Sequence, residues 1–174
     1  MALSISGSSP SFSSYQGGTI TSGTAVASTS GTSIDFTSIP SWVKRITVMI
    51  NAVSTNGTNN YLIQIGSGSI TSSGYLGVSQ TMAGSSGSTP LNFSSGFIIQ
   101  NNNSASVSLQ GTFVLTLLGS NVWTGMGITG DSNSNRIGWS GGSGTLSGVL
   151  DRVRFTTVGG TDTFDAGSIN ILYE

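Results

Sequence analysis

Apolar and polar residues alternate with a period of two in several short segments, and this alternation is typical of half-buried β-strands. The segments 61–65, 107–117 and 169–173 show it, and 97–99 is a short continuous apolar run. In the segment 45–52, one face collects four apolar side chains: Ile46, Val48, Ile50 and Ala52. Together these segments predict roughly eight to ten short strands.

A hairpin is predicted where Gly119, Ser120 and Asn121 separate two alternating segments. Such Gly- and Asn-containing connections are typical of antiparallel hairpins. Before the turn, Gly111 falls in phase with the apolar residues, which predicts a bulge or bend in a long strand. After the turn, the alternation continues through Val122, Thr124, Met126 and Ile128.

No segment sustains the period of an amphipathic helix, and Gly, Ser and Asn fill the predicted connections. We therefore expect an all-β fold, a two-sheet antiparallel sandwich of jelly-roll type. Residues 1–30 are interpreted as a short extended N-terminal arm with one strand near 19–27. Residues 31–174 are interpreted as the sandwich domain, with 82–95 and 129–147 as its longest loops.

The low charge of the chain limits the classes of partner that it is expected to bind. Charged residues make up 6% of the sequence, against roughly 25% in an average soluble domain. The basic footprint of a nucleic-acid-binding protein and the polybasic patch of a membrane-surface protein are both missing. A near-neutral surface resists self-association only weakly. The composition therefore favours a protein that works inside an assembly, without nucleic acid and without membrane insertion.

The first residues lack the basic region and the apolar region of a secretion signal. We therefore expect the protein to be made in a cytoplasm. The sequence contains no cysteine, so a disulfide framework and a thiolate metal site are excluded.

Catalytic motifs are weak in this sequence. Histidine is absent, so a Ser-His-Asp triad cannot form. The segment 138–142 matches G-x-S-x-G, but in a Gly- and Ser-rich chain without histidine a chance match is the simpler interpretation. Asp162 and Asp165 lie in a Gly-rich segment where capping of a turn is the simpler role, although a glycosidase would need two carboxylates across a cleft. We predict a protein that is not an enzyme and needs no cofactor.

The segment 131–135 resembles the alternating oxygen ligands of a calcium loop. It lacks the glycine that follows and the distal glutamate of that loop. A polar loop tip is the preferred interpretation, and no metal site is predicted.

Three candidate contact residues lie in the Gly-rich segment 129–147, and a fourth, Tyr75, is an aromatic residue outside it that could stack on a sugar ring or anchor an interface. An exposed tryptophan there would be unusual without a partner, because interfaces favour this residue. The candidates for receptor or interface contact are Trp139, Arg136, Asn133 and Tyr75.

A second candidate set is charged. Arg152 and Arg154 alternate with Val153 and Phe155, which places both cations on one outer face of a strand. Together with Asp151 they are candidates for ion pairs between subunits. Pairing within one chain stays open, and the possible acidic partners are Asp35, Asp151 and Glu174.

Two long segments carry a resemblance to a known family. These are Ile34–Met49 and Leu150–Glu174, supported by the shorter segments 63–66 and 74–77. Together they resemble a domain found near the C-termini of tail-fibre and other virion proteins of tailed bacteriophages. The similarity runs from about residue 34 to the end, and the stretch 78–147 matches poorly.

The resemblance implies a virion component that forms a homotrimer and contacts the host surface through a glycan or an outer-membrane protein. It brings no catalytic residues. We therefore expect a tail-fibre-like structural protein that recognises a receptor and assembles with itself, with the N-terminal arm docking to other virion proteins. The alternative is a capsid decoration or assembly protein without host binding. A polysaccharide-degrading enzyme and a free bacterial lectin or adhesin also remain open.

Overall fold

The computed structural model describes residues 20–84, 86–101, 103–105 and 107–174. These residues form β-strands joined by turns and contain no helix, and therefore no helix that could span a bilayer. The strands are β1 (Thr21–Ser22), β2 (Val26–Ala27), β3 (Ser33–Thr37), β4 (Arg45–Thr55), β5 (Tyr61–Ser67), β6 (Ser69–Ile70), β7 (Leu76–Ala83), β8 (Ser86–Gly87), β9 (Leu91–Phe93), β10 (Phe97–Gln100), β11 (Leu109–Gly119), β12 (Val122–Asp131), β13 (Arg136–Thr145), β14 (Arg152–Thr157) and β15 (Phe164–Tyr173).

The strands form two antiparallel sheets that pack face to face. The larger sheet has the order β1-β15-β4-β11-β12-β13-β7-β8, with β2 beside β15 and β9 beside β7. The smaller sheet has the order β10-β5-β14-β3, with β6 beside β5. The expected two-sheet antiparallel sandwich is confirmed, whereas its jelly-roll connectivity stays a prediction.

One half of the core is filled by large aliphatic and aromatic side chains. Strands β4, β11 and β15 of the larger sheet face β5 and β14 of the smaller one, and the alternation seen in the sequence places their apolar residues between the sheets. Burial of each such side chain contributes roughly 1.5–3 kcal/mol. The buried residues include Ile46, Val48, Ile50, Ile63, Ile65, Leu109, Phe113, Leu115, Val153, Phe155, Ile169 and Ile171.

The other half of the larger sheet turns small residues toward the core. Apart from the buried Trp123 near the start of β12, strands β7, β12 and β13 present mainly glycine, serine and threonine on their inner side, and large side chains from other segments fill most of the space. The small inner positions are Gly77, Ser79, Thr81, Gly125, Gly127, Thr129, Gly138, Ser140, Gly142 and Gly144.

Aromatic rings occupy this space and contact the glycines directly. A Cβ atom on Gly125 would lie 2.6 Å from the ring of Phe113, and one on Gly144 would lie 2.8 Å from the ring of Tyr75. The rings also contact one another, since the centroid of Phe97 lies 5.4 Å from that of Phe113 and 5.1 Å from that of Tyr75. Such tilted and edge-on pairs add to the stabilisation from burial. The glycines are therefore required by the close approach of the rings.

The predicted hairpin is present. Strands β11 and β12 are joined by Ser120 and Asn121, whose φ angles of 48° and 61° match a type I′ turn.

A bulge is present at the level of Gly111, but it lies in the neighbouring strand and not in the strand of Gly111 as predicted. Leu109 is opposite Val53 and Gly111 is opposite Ile50, so β4 contains one residue more than β11 over this stretch. The extra residue lies beside Ala52, whose φ is 51°. The bulge therefore bends β4, whereas Gly111 has a φ of 139° within an unbroken pairing to β12.

The prediction of a long loop at 129–147 is wrong. Most of this range forms the end of β12 and the whole of β13, joined by a short turn at 132–135. The expected loop at 82–95 is also partly structured, because it holds β8 and β9. Glycine has a low intrinsic preference for strands, and β13 is ordered because it is hydrogen-bonded to neighbours on both sides.

The described part of the predicted arm belongs to the larger sheet. Strands β1 and β2 pair with β15 of the same chain, with Thr21 opposite Tyr173 and Val26 opposite Ile169. The Ser28 hydroxyl donates a hydrogen bond of 2.8 Å to the Ala166 carbonyl. The predicted strand near 19–27 thus pairs within its own chain, and residues 1–19 of the arm lie outside the described residues.

Two neighbouring glycines of β13 give a matched pair of stability predictions. We expect Gly142→Ala to destabilise the fold by about 1–3 kcal/mol, because its Cβ would clash with the backbone carbonyl oxygen of Leu76 and would lie 2.8 Å from the Phe93 ring. Gly141→Ala is the control, because its Cβ points to the opposite side and meets no atom closer than 3.9 Å. Urea denaturation of both variants measures the difference. Equal stabilities of the two variants would contradict the prediction.

Candidate binding surface

Large apolar side chains point outward from the strands that are small on the inside. Met126 and Ile128 on β12 expose 67% and 58% of their surface, and Leu76 on β7 exposes 72%. We call the apolar face the set of exposed outward residues on these strands, which are Leu76, Val78, Met126, Ile128, Ile137 and Trp139. Half of the larger sheet is therefore inverted, with small residues inside and large apolar residues outside.

The residues of the apolar face are contiguous across strands. Register places Met126 opposite Gly141, which in turn lies opposite Val78. In the next row Ile128 lies opposite Trp139. Side chains directly opposite each other on neighbouring strands lie about 4.5–5.5 Å apart at Cβ. The face is thus one continuous patch rather than a set of scattered residues.

The apolar face carries no charge. Strands β7, β11, β12 and β13 contain two charged residues, Asp131 and Arg136. These two lie opposite each other at the β12–β13 turn and bind each other, with side chains 0% and 9% exposed. Within the described residues, the outward positions of the four strands therefore offer only apolar, hydroxyl and amide groups.

A groove runs along the apolar face between β11 and β12. It has a volume of about 550 Å³ and is bounded by apolar and threonine side chains. Arg45 stands at one end, where its guanidinium lies 3.2 Å from the Glu174 carboxylate. The residues along the groove include Thr112, Val114, Thr116, Thr124, Met126 and Ile128.

Arg136, predicted as a contact residue, has a structural role instead. Its Nε and Nη2 atoms donate hydrogen bonds of 3.0 and 2.8 Å to Oδ2 of Asp131. Burial would raise the pKa of Asp131, but hydrogen bonds from Arg136, Ser134 and the Asn133 backbone outweigh it and hold the pKa below its usual value. Asn133 lies exposed in the turn.

Tyr75 is a core residue and not a surface contact. It is 1% exposed, and burial raises the pKa of its hydroxyl to about 12. The hydroxyl accepts a hydrogen bond of 2.9 Å from the Ile65 amide and donates one of 2.9 Å to the Thr71 carbonyl. The expectation that Tyr75 contacts a receptor is corrected, whereas Trp139 lies on the apolar face with 40% of its surface exposed.

The candidate ion pairs between subunits are satisfied within the chain. Arg154 binds both carboxylate oxygens of Asp35 at 2.7 Å, and Arg152 binds Asp151 at 2.7 Å. These residues are partly exposed. Because each arginine already has a carboxylate partner, no unpaired charge is left among these residues to drive pairing with a neighbouring subunit.

The two candidate catalytic carboxylates have structural partners, Asp162 at a turn and Asp165 between strands β15 and β4. Asp162 accepts hydrogen bonds of 2.8 and 2.6 Å from the backbone and side-chain nitrogens of Asn59, which fixes the turn between β4 and β5. Asp165 accepts a hydrogen bond from the Ser54 hydroxyl. Ser140, at the centre of the G-x-S-x-G match, lies within β13 and is 7% exposed. In the described ranges no three metal-binding side chains come together.

Sequence reasoning did not find the apolar face, although a signal for it exists. In the segment 125–128, glycine and a large apolar residue alternate, so either phase could face the core. Aromatic rings from other segments fill the glycine side, and this long-range packing decides the phase. An alternation of large apolar residues with glycine, rather than with polar residues, is the signal of an inverted strand.

No protein-family model, no curated protein and no solved structure matches this chain. The resemblance of the sequence to phage virion domains therefore stays a prediction.

The buried ion pair at the β12–β13 turn gives a pH-dependent prediction. We expect Asp131→Asn to cost about 3 kcal/mol at neutral pH, because Arg136 would be left buried without its counter-charge. Since the folded pKa of Asp131 is lowered, its stabilisation is present above the unfolded pKa of about 3.9 and disappears as the pH falls through the folded value. The difference in the free energy of unfolding between wild type and Asp131→Asn should therefore become smaller at acid pH.

Urea denaturation between neutral and acid pH measures this difference. Asp35→Asn is the matched control, because the Asp35–Arg154 pair is exposed and its loss should cost at most about 1 kcal/mol. A neutral-pH stability of Asp131→Asn equal to that of wild type would contradict the prediction.

Proposed function

We propose that this chain is a structural protein of a bacteriophage virion, tail-fibre-like, that assembles with itself and binds the host cell surface without catalysing a reaction. The observation that carries the proposal is the apolar face, a continuous uncharged patch on an ordered sheet. Contiguous apolar patches larger than about 300–600 Å² mark interaction sites in soluble proteins.

The chemistry of the apolar face supports a protein partner. A glycan site needs polar groups placed to hydrogen-bond sugar hydroxyls, and the centre of this face offers mainly methyl, methylene and indole surface. Interface cores are likewise depleted of charged residues and enriched in methionine and aromatic residues. Met126 and Trp139 fit that composition.

Host contact is assigned to a different part of the molecule, the turn between β12 and β13. Asn133 is exposed in this turn, and the buried pair of Asp131 and Arg136 holds the turn in place. A rigid scaffold that presents a short polar turn is a common arrangement for recognition. A cavity of about 430 Å³ beside the turn is lined in part by Gln110, Ser132 and Asn135.

The alternative function is that of a capsid decoration or assembly protein. The same apolar face favours it, because tight packing against other virion proteins needs no host-specific site. The two functions differ in one observable property, which is affinity for host cells.

Cell binding tests the proposed function. We expect the labelled full chain to bind intact cells of a host strain saturably and to block phage adsorption. A Ser132→Asp, Asn133→Asp double variant should weaken this binding at least about tenfold, as expected when a polar contact site is disrupted. Leu118→Ser is the control, because Leu118 is 75% exposed and lies beside the β11–β12 turn, at the opposite end of β12 from the turn that is tested.

Absence of binding to every strain by folded, assembled protein would remove host recognition from the proposal. Co-purification with virions would then assign the chain to decoration or assembly.

A further inference from the structure

We propose that the apolar face is the surface on which a second copy of this chain packs, sheet face against sheet face. The inference deepens the proposed function, on which it rests, by naming the partner of this surface. It is carried by the inverted half-sheet, the area of the face, its lack of charge and the position of the groove.

The inverted pattern is the first step. In a sandwich that works alone, the outer side of a sheet carries polar residues that alternate with the apolar core residues. Here β12 does the reverse, with Gly125 and Gly127 inside and Met126 and Ile128 outside. The outer side of this sheet therefore has the composition of an inner layer, and sheet-on-sheet packing is what such a layer fits.

The area of the face suits one copy of a small protein. Its six exposed side chains offer on the order of 700 Å² of apolar surface, close to the ~800 Å² that each partner contributes to a standard interface. Two such faces brought together would bury the residues that are now most exposed on β7, β12 and β13.

The electrostatics favour an identical partner over a different one. Different proteins commonly select each other through complementary positive and negative patches, and the outward positions of β7, β11, β12 and β13 carry neither sign. When the face meets itself, no like charges come together. Arg45, at the rim of the groove, already has Glu174 as its partner.

The shape of the apolar face allows two copies to pack against each other reciprocally. The groove lies between β11 and β12, and the projecting side chains Ile137 and Trp139 lie on the adjacent strand β13. When a face packs against the same face of a second copy, each projection must meet a depression on that same face. Projection and groove on one face satisfy this requirement, since each copy can insert Trp139 into the groove of the other.

The edges of the larger sheet offer less to a second copy than its face does. This sheet ends in β1 and β2 on one side and in β8 and β9 on the other, and each of these strands has two or three residues. Very short edge strands are a common device against edge-to-edge pairing. For the larger sheet, association through the face is therefore better supported than association through an edge.

The test measures the assembly state of the full chain by sedimentation at micromolar concentration. We expect wild type to sediment as a defined multiple of 17.6 kDa. Met126→Lys and Ile128→Lys should each weaken assembly at least about tenfold, because each places an unpaired charge in the interface. Both residues are exposed in the single chain, so the substitutions leave its core intact.

Val149→Lys is the matched control. Val149 is 54% exposed, like Ile128, but lies between β13 and β14, outside the apolar face. It should assemble as wild type does. A monomeric wild type, or Met126→Lys and Ile128→Lys variants that assemble as wild type does, would overturn the proposal.

Tryptophan fluorescence of wild type supplies a readout that needs no charged substitution in the interface. Dilution of the assembled protein should shift the emission to the red, and Trp139→Phe should remove this shift. Of the three tryptophans, Trp123 is buried, Trp42 packs against Tyr173 at the edge of the core, and only Trp139 lies on the face. A monomer in which Trp139 has a blue emission at every concentration would overturn the proposal. Such a result would mean that the chain covers the apolar face itself.

The two proposals fail separately. A monomer that still binds host cells would overturn self-packing and leave host binding in place. An assembled protein without affinity for cells would overturn host binding and leave self-packing in place.

Discussion

The close packing of aromatic rings on glycine is the constraint on which the rest of the structure depends. Phe93, Phe97, Tyr75 and Phe113 fill the space beneath β7, β12 and β13, and each needs a strand position without a side chain below it. Protein interiors are packed as densely as organic crystals, so the glycines and the rings fix each other. The residue types on the inner side of these strands are therefore determined by side-chain size rather than by hydrophobicity.

This constraint explains the inverted half of the larger sheet. Strand β13 has glycine and serine at its inner positions and gains little from burial of its own side chains, and in β12 the buried Trp123 is the large inner residue. Both strands are held mainly by hydrogen bonds to their neighbours and by rings from other segments. Their outer positions are thereby free to carry large apolar residues. The same strands thus complete a stable core on one side and supply a packing surface on the other.

The sequence predicted much of the fold and little of the site, for physical reasons. The alternation of residues located β4, β5, β11 and β15, because one phase of each strand is apolar and the other is mostly polar. In β13 most residues are glycine or serine, so local preference predicted a loop and only long-range pairing makes a strand. The apolar face depends on the same pairing and could not be located from local pattern.

The roles of individual site residues also depend on contacts between distant parts of the chain, which the local sequence pattern does not show. The polar composition of the turn does not distinguish Arg136, whose side chain is paired and 9% exposed, from Asn133, which is exposed, because the difference depends on where Asp131 points. Tyr75 follows a glycine in a segment rich in turn residues, yet Phe97, distant in sequence, places it in the core. Trp139 was selected for its chemistry alone, and register across β12 and β13 places it beside Ile128.

The distribution of charge links stability to assembly. The chain has few charged residues, and four ion pairs among the described residues hold Arg45, Arg136, Arg152 and Arg154 against carboxylates of the same chain. Pairing within the chain fixes turns and strand ends and leaves little free charge to repel another copy. Hydroxyl and amide groups must then supply solubility, and they do so without the long-range repulsion that keeps charged proteins apart. A surface of this kind tolerates close approach of identical copies, and the apolar face provides the attraction that such an approach requires.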